Sequence, residues 1–142
     1  MARQDKKKIL FVCTENSCRS QMAEGFAKSF GKDIFEAYSA GSKPSGRVDP
    51  MAIEVMREVG IDISDYRSKG FDELGVKKFD TVITLGCGDV CPFVPADEHL
   101  AWEIDDPKGR DIEFFREVRS KIRYKVKNLA ESILRSEGRK RR

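Results

Sequence analysis

Ile9-Leu10-Phe11-Val12-Cys13-Thr14-Glu15-Asn16-Ser17-Cys18-Arg19-Ser20-Gln21-Met22-Ala23-Glu24-Gly25-Phe26-Ala27-Lys28 is a strand, a loop and the start of a helix in one stretch. Ile, Phe and Val in a short run favour a buried strand over residues 9–12, and the Ala, Met, Glu and Lys content after Ser20 favours a helix. Cys13, Thr14, Glu15, Asn16, Ser17, Cys18, Arg19 and Ser20 then form a loop that ends at a helix N-terminus. Backbone N–H groups there lack intrahelical partners, and the macrodipole adds about half a positive charge, so these eight residues are read as an oxyanion seat.

The same field favours a thiolate at Cys13, which becomes a nucleophile facing its substrate. Arg19, six residues on, can fold back as a bidentate clamp on two oxygens of a tetrahedral anion, a geometry Lys does not match. Ser20 can donate its hydroxyl to the Cys13 sulfur. Asn16 suits a left-handed backbone position, because its short polar side chain tolerates positive φ, and Glu15 is expected to point outward. Cys-x5-Arg alone is a weak signal, since a buried Cys and a surface Arg fall at this separation by accident. The strand before it, the helix after it and an Asp-Pro far downstream make the catalytic anion loop the better reading.

At 142 residues the chain is read as a single domain, 1–142, with basic tails at about 1–7 and 136–142. Hydrophobic residues make up 39% and charged residues 36%, which excludes disorder and a membrane-spanning class. No apolar run approaches the ~20 residues of a membrane span, and no signal-peptide core follows the basic N-terminal residues, so a cytoplasmic location is expected. The net charge of +3 is concentrated at the two ends, without exposed aromatics between basic residues, which argues against nucleic acid as a partner. Cys13, Cys18, Cys87 and Cys91 form two close pairs, and without a secretory signal redox or metal roles come before structural disulfides.

Along the rest of the chain, Gly31 ends the first helix, residues 34–39 form a second strand that stops at Ala40-Gly41-Ser42, and Asp49-Pro50 cap and open a helix running to about Val59. Residues 61–69 cross the surface with no evident chemistry to a brief helix at 71–74. Residues 79–85 form the clearest later strand, residues 100–104 a fourth short one, and a long amphipathic helix covers about 112–134. This alternation predicts an α/β fold: a doubly wound, four-stranded parallel sheet with helices on both faces and a ligand site beyond the carboxyl ends of the strands. Cys13, Cys87, Cys91 and Asp106 all fall at that edge.

Cys87-Gly88-Asp89-Val90-Cys91 admits three readings. A four-thiolate zinc site with Cys13 and Cys18 has the wrong spacing for paired knuckles, so no metal is assigned. Two buried small residues come next, and a mobile dithiol between Gly86 and Pro92 that exchanges with a reactive thiolate is preferred. Asp105 and Asp106 precede Pro107. A lone Asp-Pro is usually a turn, but at this edge a carboxylic acid can protonate a leaving oxygen, and Asp106 is the choice. His99 is read as an exposed surface residue.

The stretch 12–25, Ser39-Ala40-Gly41, the cysteine loop from Thr84 to Pro92 and Asp105-Asp106-Pro107 closely resemble thioredoxin-coupled arsenate reductases built on the low-molecular-weight protein tyrosine phosphatase fold, over roughly residues 8 to 135. Phosphatases of this fold share the Cys-x5-Arg-Ser loop and the Asp-Pro acid. Gln21 stands where they usually carry Pro, the Asp-Pro lacks their following tyrosines, and the paired cysteines after Leu85 belong to the reductases, in a shorter loop than in the best-known members. The resemblance implies an enzyme that reduces arsenate with no cofactor. Cys13 attacks arsenic, Asp106 protonates the departing oxygen, Cys87 attacks Cys13, and Cys91 moves the disulfide to the surface for thioredoxin. Some members bind potassium near the residues matching Asn16 and Glu24; here Arg67 and Lys69 lie in the segment that would complete the site, so no ion is expected. A phosphatase that leaves Cys87 and Cys91 idle, and a non-catalytic oxyanion- or redox-sensing module, are the alternatives.

Overall fold

The computed structural model describes residues 6–86 and 94–140; Cys87 and Cys91 lie outside them. Ile9, Leu10, Phe11 and Val12, all at most 1% exposed, need cover on both sides of a sheet, and they receive it in a central strand. That strand, β1 (Lys7–Cys13), is flanked by β2 (Phe35–Gly41) and β3 (Phe79–Leu85), and β3 pairs in turn with β4 (Ala96–Trp102). All pairings are parallel, in the order β2-β1-β3-β4. Register aligns Cys13 with Gly41, Val12 with Thr84, and Leu85 with Trp102, so the carboxyl ends meet along one edge. Chain order reverses about β1, which is where a doubly wound sheet opens a crevice.

Alternation decides which face each residue serves. Ile9, Phe11 and Cys13 join one core with Met22 and Phe26 of α1 (Arg19–Phe30), Val55 and Met56 of α2 (Pro50–Glu58), and Phe115, Ile122 and Val126 of α3 (Ile112–Lys140). Leu10, Val12, Ala40, Phe79 and Val82 form a second core under Phe71, Leu74 and Val76. Among the described residues, three α-helices cover one face and the 3-10 turn Phe71–Glu73 lies on the other. Each large side chain fully removed from water contributes about 1.5–3 kcal/mol, so Phe11, Met22, Phe26 and Phe115 fix the position of α1 against the sheet.

The punctuation is local chemistry. Gly31 closes α1 by donating its N–H to the Ala27 carbonyl at 2.9 Å. Asp49 caps α2 by accepting from the Met51 N–H at 2.8 Å, with Pro50 in the first turn.

Several boundaries differ from the sequence reading. β2 continues through Ala40 and Gly41 to match Cys13 in register. The fourth strand starts at Ala96, four residues before Leu100, and ends at Trp102, two before Ile104. Ala96-Asp97-Glu98-His99 reads as a connection because it is polar, but an edge strand paired only to β3 tolerates charges on its open side. α3 runs through Lys140, six residues past Leu134.

One ion-pair cluster ties α2 to α3. Arg116 Nε and Nη2 donate to the Glu58 carboxylate at 3.0 and 2.7 Å, and Arg119 Nη1 donates to it at 2.7 Å and to the Val55 carbonyl at 2.8 Å. Hydrogen bonds from Arg116 and then Arg119 pull the Glu58 carboxyl from 4.5 down to about 2. A carboxylate whose folded value is depressed contributes stability above its unfolded value, and that contribution is lost as pH falls through the folded value. Glu58→Gln is expected to lower the melting temperature by a few degrees at neutral pH, with the gap to wild type closing between about pH 4.5 and 2. A gap that stays constant to pH 2 in thermal melts followed by circular dichroism would refute the clamp.

Candidate active site

The loop from Cys13 to Arg19 turns its carbonyls away from its centre. The Thr14 oxygen accepts from the Lys43 N–H at 2.8 Å, the Glu15 oxygen from the Ser45 N–H at 3.2 Å and Ser68 Oγ at 2.7 Å, and the Ser17 oxygen from the Asp49 N–H at 2.9 Å. The Asn16 oxygen accepts from Gln21 Nε2 at 3.0 Å. In a trans peptide the C=O of one residue and the N–H of the next point in opposite directions. The amides of Glu15, Asn16, Ser17 and Cys18 therefore face inward, where α1 adds its uncapped N-terminus, with neither a side-chain cap nor an acidic residue in the first turn.

Asn16 makes the reversal possible. Its φ of +53° is the one positive value outside glycine among the described residues, as its side chain suits it to be. The side chain also works in both directions: Oδ1 accepts from the Lys69 N–H and from Gln21 Nε2, both at 2.9 Å, while Nδ2 donates to Ser20 Oγ at 2.7 Å. Ser20 Oγ lies 2.9 Å from Cys13 Sγ. With the serine oxygen already accepting from Asn16, its proton is free to point at the sulfur.

Cys18 occupies the opposite environment. It is 3% exposed, its thiol donates to Asp49 Oδ2 at 3.6 Å, and burial, reinforced by Asp49, pushes the thiol well above its ordinary value. Ser17 Oγ lies 3.7 Å from the Cys18 sulfur and opposes that shift, but burial outweighs it and Cys18 stays protonated.

Arg19 lines the same cavity as Cys13, and its fork is shared. Nη1 donates to the Ile104 carbonyl at 3.1 Å, and Nη2 lies 3.6 Å from Asp106 Oδ2. Nε is buried and has no hydrogen-bond partner among the described residues, so it remains available to an anion in the loop. Cys13, Arg19 and Asp106 line one cavity of about 10 Å³ with Glu15, Ser17, Cys18 and Lys108. Asp105 does not line it, and the Lys108 N–H donates to Asp106 Oδ1 at 3.1 Å. The arrangement can seat a tetrahedral anion against a sulfur nucleophile, with a carboxyl group beside it. Cys87 and Cys91, the remaining predicted site residues, fall outside the described residues. His99 is exposed and Nε2 is 2.8 Å from the Val94 carbonyl oxygen.

Several residues here escape a reading by motif. Segment 67–69, where no chemistry was evident, braces the loop through Ser68 Oγ, the Lys69 N–H and the Arg67 carbonyl, which accepts from Gln21 Nε2 at 2.8 Å. Lys69 Nζ donates to the Arg67 carbonyl at 3.2 Å and to Ser39 Oγ at 3.3 Å, and lies 3.9 Å from the buried Glu24 carboxylate, which Ser39 and Lys28 also hold. Burial lowers the Lys69 ammonium below its ordinary value, opposed by Glu24. These oxygens already surround an ammonium, so a potassium ion does not fit among them. Gly41 and Gly86 matter by lacking a side chain. A Cβ on Gly41 would lie 2.6 Å from the Thr14 oxygen, and one on Gly86 would lie 2.4 Å from Arg19 Nη1 and 2.7 Å from the Ile104 oxygen. The general signal for both is a glycine at the end of a predicted strand.

The family model for low molecular weight phosphotyrosine protein phosphatase matches residues 8–139. A glutaredoxin arsenate reductase from Synechocystis sp. is 45% identical over 130 residues, spanning 89% of this chain and 98% of that protein. Among solved structures, an arsenate reductase in the phosphate binding state matches with a TM-score of 0.80 at 42% identity, over 89% of this chain and 98% of that one. A thioredoxin-dependent arsenate reductase from Corynebacterium glutamicum matches with a TM-score of 0.79 at 33% identity, over 95% of this chain and 65% of that one.

Gly86→Ala tests the passage that Arg19 uses. The backbone there has φ +84°, so the substitution strains the main chain and displaces the guanidinium together. The expected result is a folded protein, less stable by about 1–3 kcal/mol, whose affinity for an inorganic oxyanion falls by about tenfold or more in calorimetric titration. Unchanged affinity would mean that the Arg19–Ile104 contact does not hold the clamp.

Proposed function

Because the chain belongs to the low molecular weight phosphotyrosine protein phosphatase family, we propose that its anion loop serves the reduction of arsenate to arsenite. The observation that carries this reading is the Cys13 Sγ···Ser20 Oγ contact of 2.9 Å inside a loop of inward amides. The similarity to named arsenate reductases over most of their length, and the second cysteine pair in the sequence, favour reductase over phosphatase.

In the proposed sequence the Cys13 thiolate attacks arsenic(V), an S–As bond forms, and an oxygen departs as water on receiving a proton from Asp106. The inward amides of residues 15–18 and Arg19 hold the remaining oxyanion charge, in a site where donors need not reorganise. Cys87 then attacks the Cys13 sulfur. The S–As electron pair passes to arsenic, which leaves as arsenite, and a Cys13–Cys87 disulfide remains. Cys91 attacks Cys87, returning Cys13 as thiolate and leaving a Cys87–Cys91 disulfide for an external dithiol. Thioredoxin is the proposed reductant, supported by the thioredoxin-dependent neighbour, with a glutaredoxin-type thiol as the competing source of electrons. No helix among the described residues is long and apolar enough to cross a membrane. A cytoplasmic location belongs to the same proposal, since the relay needs a compartment that keeps thiols reduced.

The deciding assay is arsenite production with thioredoxin, thioredoxin reductase and NADPH. Cys13→Ser is expected to abolish turnover in a folded protein, and Asp106→Asn to slow adduct formation by about a hundredfold or more while sparing later thiol exchange. Cys91→Ser should release one arsenite per protein and stall as a Cys13–Cys87 disulfide, visible by mass in a non-reducing peptide map. Wild-type turnover by Cys87→Ser would remove that residue from the relay. Hydrolysis of aryl phosphate without arsenate reduction would instead leave a phosphatase.

A further inference from the structure

Glu15 and Lys108, 93 residues apart in the chain, meet across the mouth of the anion loop: Lys108 Nζ donates to Glu15 Oε1 at 2.6 Å. Both ends of this bridge belong to segments of the proposed site. Glu15 lies within the loop, and the Lys108 backbone N–H holds Asp106.

The bridge also divides two cavities. On its inner side lies the space of about 10 Å³ against Cys13, Arg19 and Asp106, which is about the smallest volume that admits one water molecule. On its outer side lies a cavity of about 350 Å³ lined by Ser45, Arg47, Asp49 and Pro50. Glu15, Ser17 and Lys108 line both. A compact tetrahedral anion needs only the inner space and a small displacement of its walls. A phosphate monoester must in addition pass an organic group through the position the two side chains occupy. Exposed ion pairs are weak, so the bridge opens readily, but its closed form biases which anions fit.

We propose that the Glu15–Lys108 pair is a partition that selects compact inorganic oxyanions over organic phosphate esters at this site. Closed, it walls the inner seat from the outer cavity; open, the two spaces join and an aryl group can lie between Ser45 and Pro50. The partition rests on the anion-loop reading above, and it makes these two side chains specificity determinants that neither attack nor protonate the substrate.

Binding tests it without the cysteine relay or any reductant. Inorganic phosphate and phenylphosphonate, which cannot be hydrolysed, are titrated calorimetrically into the reduced full-length protein and into Glu15→Ala/Lys108→Ala, which removes the bridge without changing net charge. Wild type should prefer phosphate, and the double variant should lose about fivefold of that preference, equivalent to about 1 kcal/mol, mainly through tighter phenylphosphonate binding. The exchanged pair, Glu15→Lys/Lys108→Glu, should recover the wild-type preference, and melting curves confirm that each variant is folded. An unaltered preference in the double variant, or equal binding of both ligands by wild type, overturns the partition. If phosphate binds normally but arsenate is not reduced in the enzymatic assay, the reductase reading fails and the partition stands. If phosphate does not bind at all, the anion seat fails and the partition with it.

Discussion

A peptide group that offers its N–H to an anion must dispose of its C=O on the other side, and this constraint governs the architecture around residues 14–18. Four successive carbonyls turned outward require four sets of donors from elsewhere in the chain. Lys43, Ser45 and Asp49 supply backbone N–H groups from the connection after β2, Ser68 supplies a hydroxyl, and Gln21 reaches back from α1. The turn-rich composition of residues 42–49 follows from this duty. So does Gly41, the last residue of β2, where a methyl group would strike the Thr14 oxygen. The loop is held from behind by three separate stretches of chain.

Arg19 meets a second constraint, that a buried guanidinium costs free energy unless its donors are paired. Its side chain is 7% exposed, and two of its nitrogens are committed to Ile104 and Asp106. Those commitments run to the stretch after β4, so Arg19 joins the loop that holds Cys13 to the segment bearing Asp106. The route between them exists only because Gly86 has no side chain at the end of β3. Three strand ends thus contribute different things to one site: a sulfur from β1, an empty space from β3, and a carbonyl with a carboxylate from the stretch after β4.

The features legible in the sequence were those with short-range or periodic causes. Buried central strands show as unbroken apolar runs, Asp49-Pro50 marks a helix start, and the strand–loop–helix context raises Cys13 and Arg19 above a chance pair. Asn16 was readable because few residues other than glycine tolerate its backbone conformation. What was not legible depended on tertiary partners. Ala96-Asp97-Glu98-His99 is a strand because β3 offers an edge, and no local propensity announces that. Lys69 looks like a surface cation until Ser39, Glu24 and the Arg67 carbonyl are placed around it. Gln21, where a related loop would have proline, gains its role from an amide that reaches the Asn16 and Arg67 carbonyls, a use invisible without the loop's course.

The two loop cysteines show how little sequence distance matters to reactivity. Cys13 and Cys18 are both buried in the same loop, and both are near polar groups. The difference lies in the sign of what each faces. Cys13 meets a serine hydroxyl whose oxygen also accepts from Asn16, and it lines one cavity with Arg19. Cys18 meets the carboxylate of Asp49, whose charge opposes a second negative charge and accepts the thiol proton. Burial does most to keep Cys18 protonated, and Asp49, which adds to it, also caps α2, so its position is fixed by the folding of another helix. The contrast between the two sulfurs is therefore tied in part to helix capping. An oxyanion entering the loop adds negative charge near both sulfurs, and for Cys18 that charge comes on top of the Asp49 carboxylate and of burial, both of which already oppose ionisation.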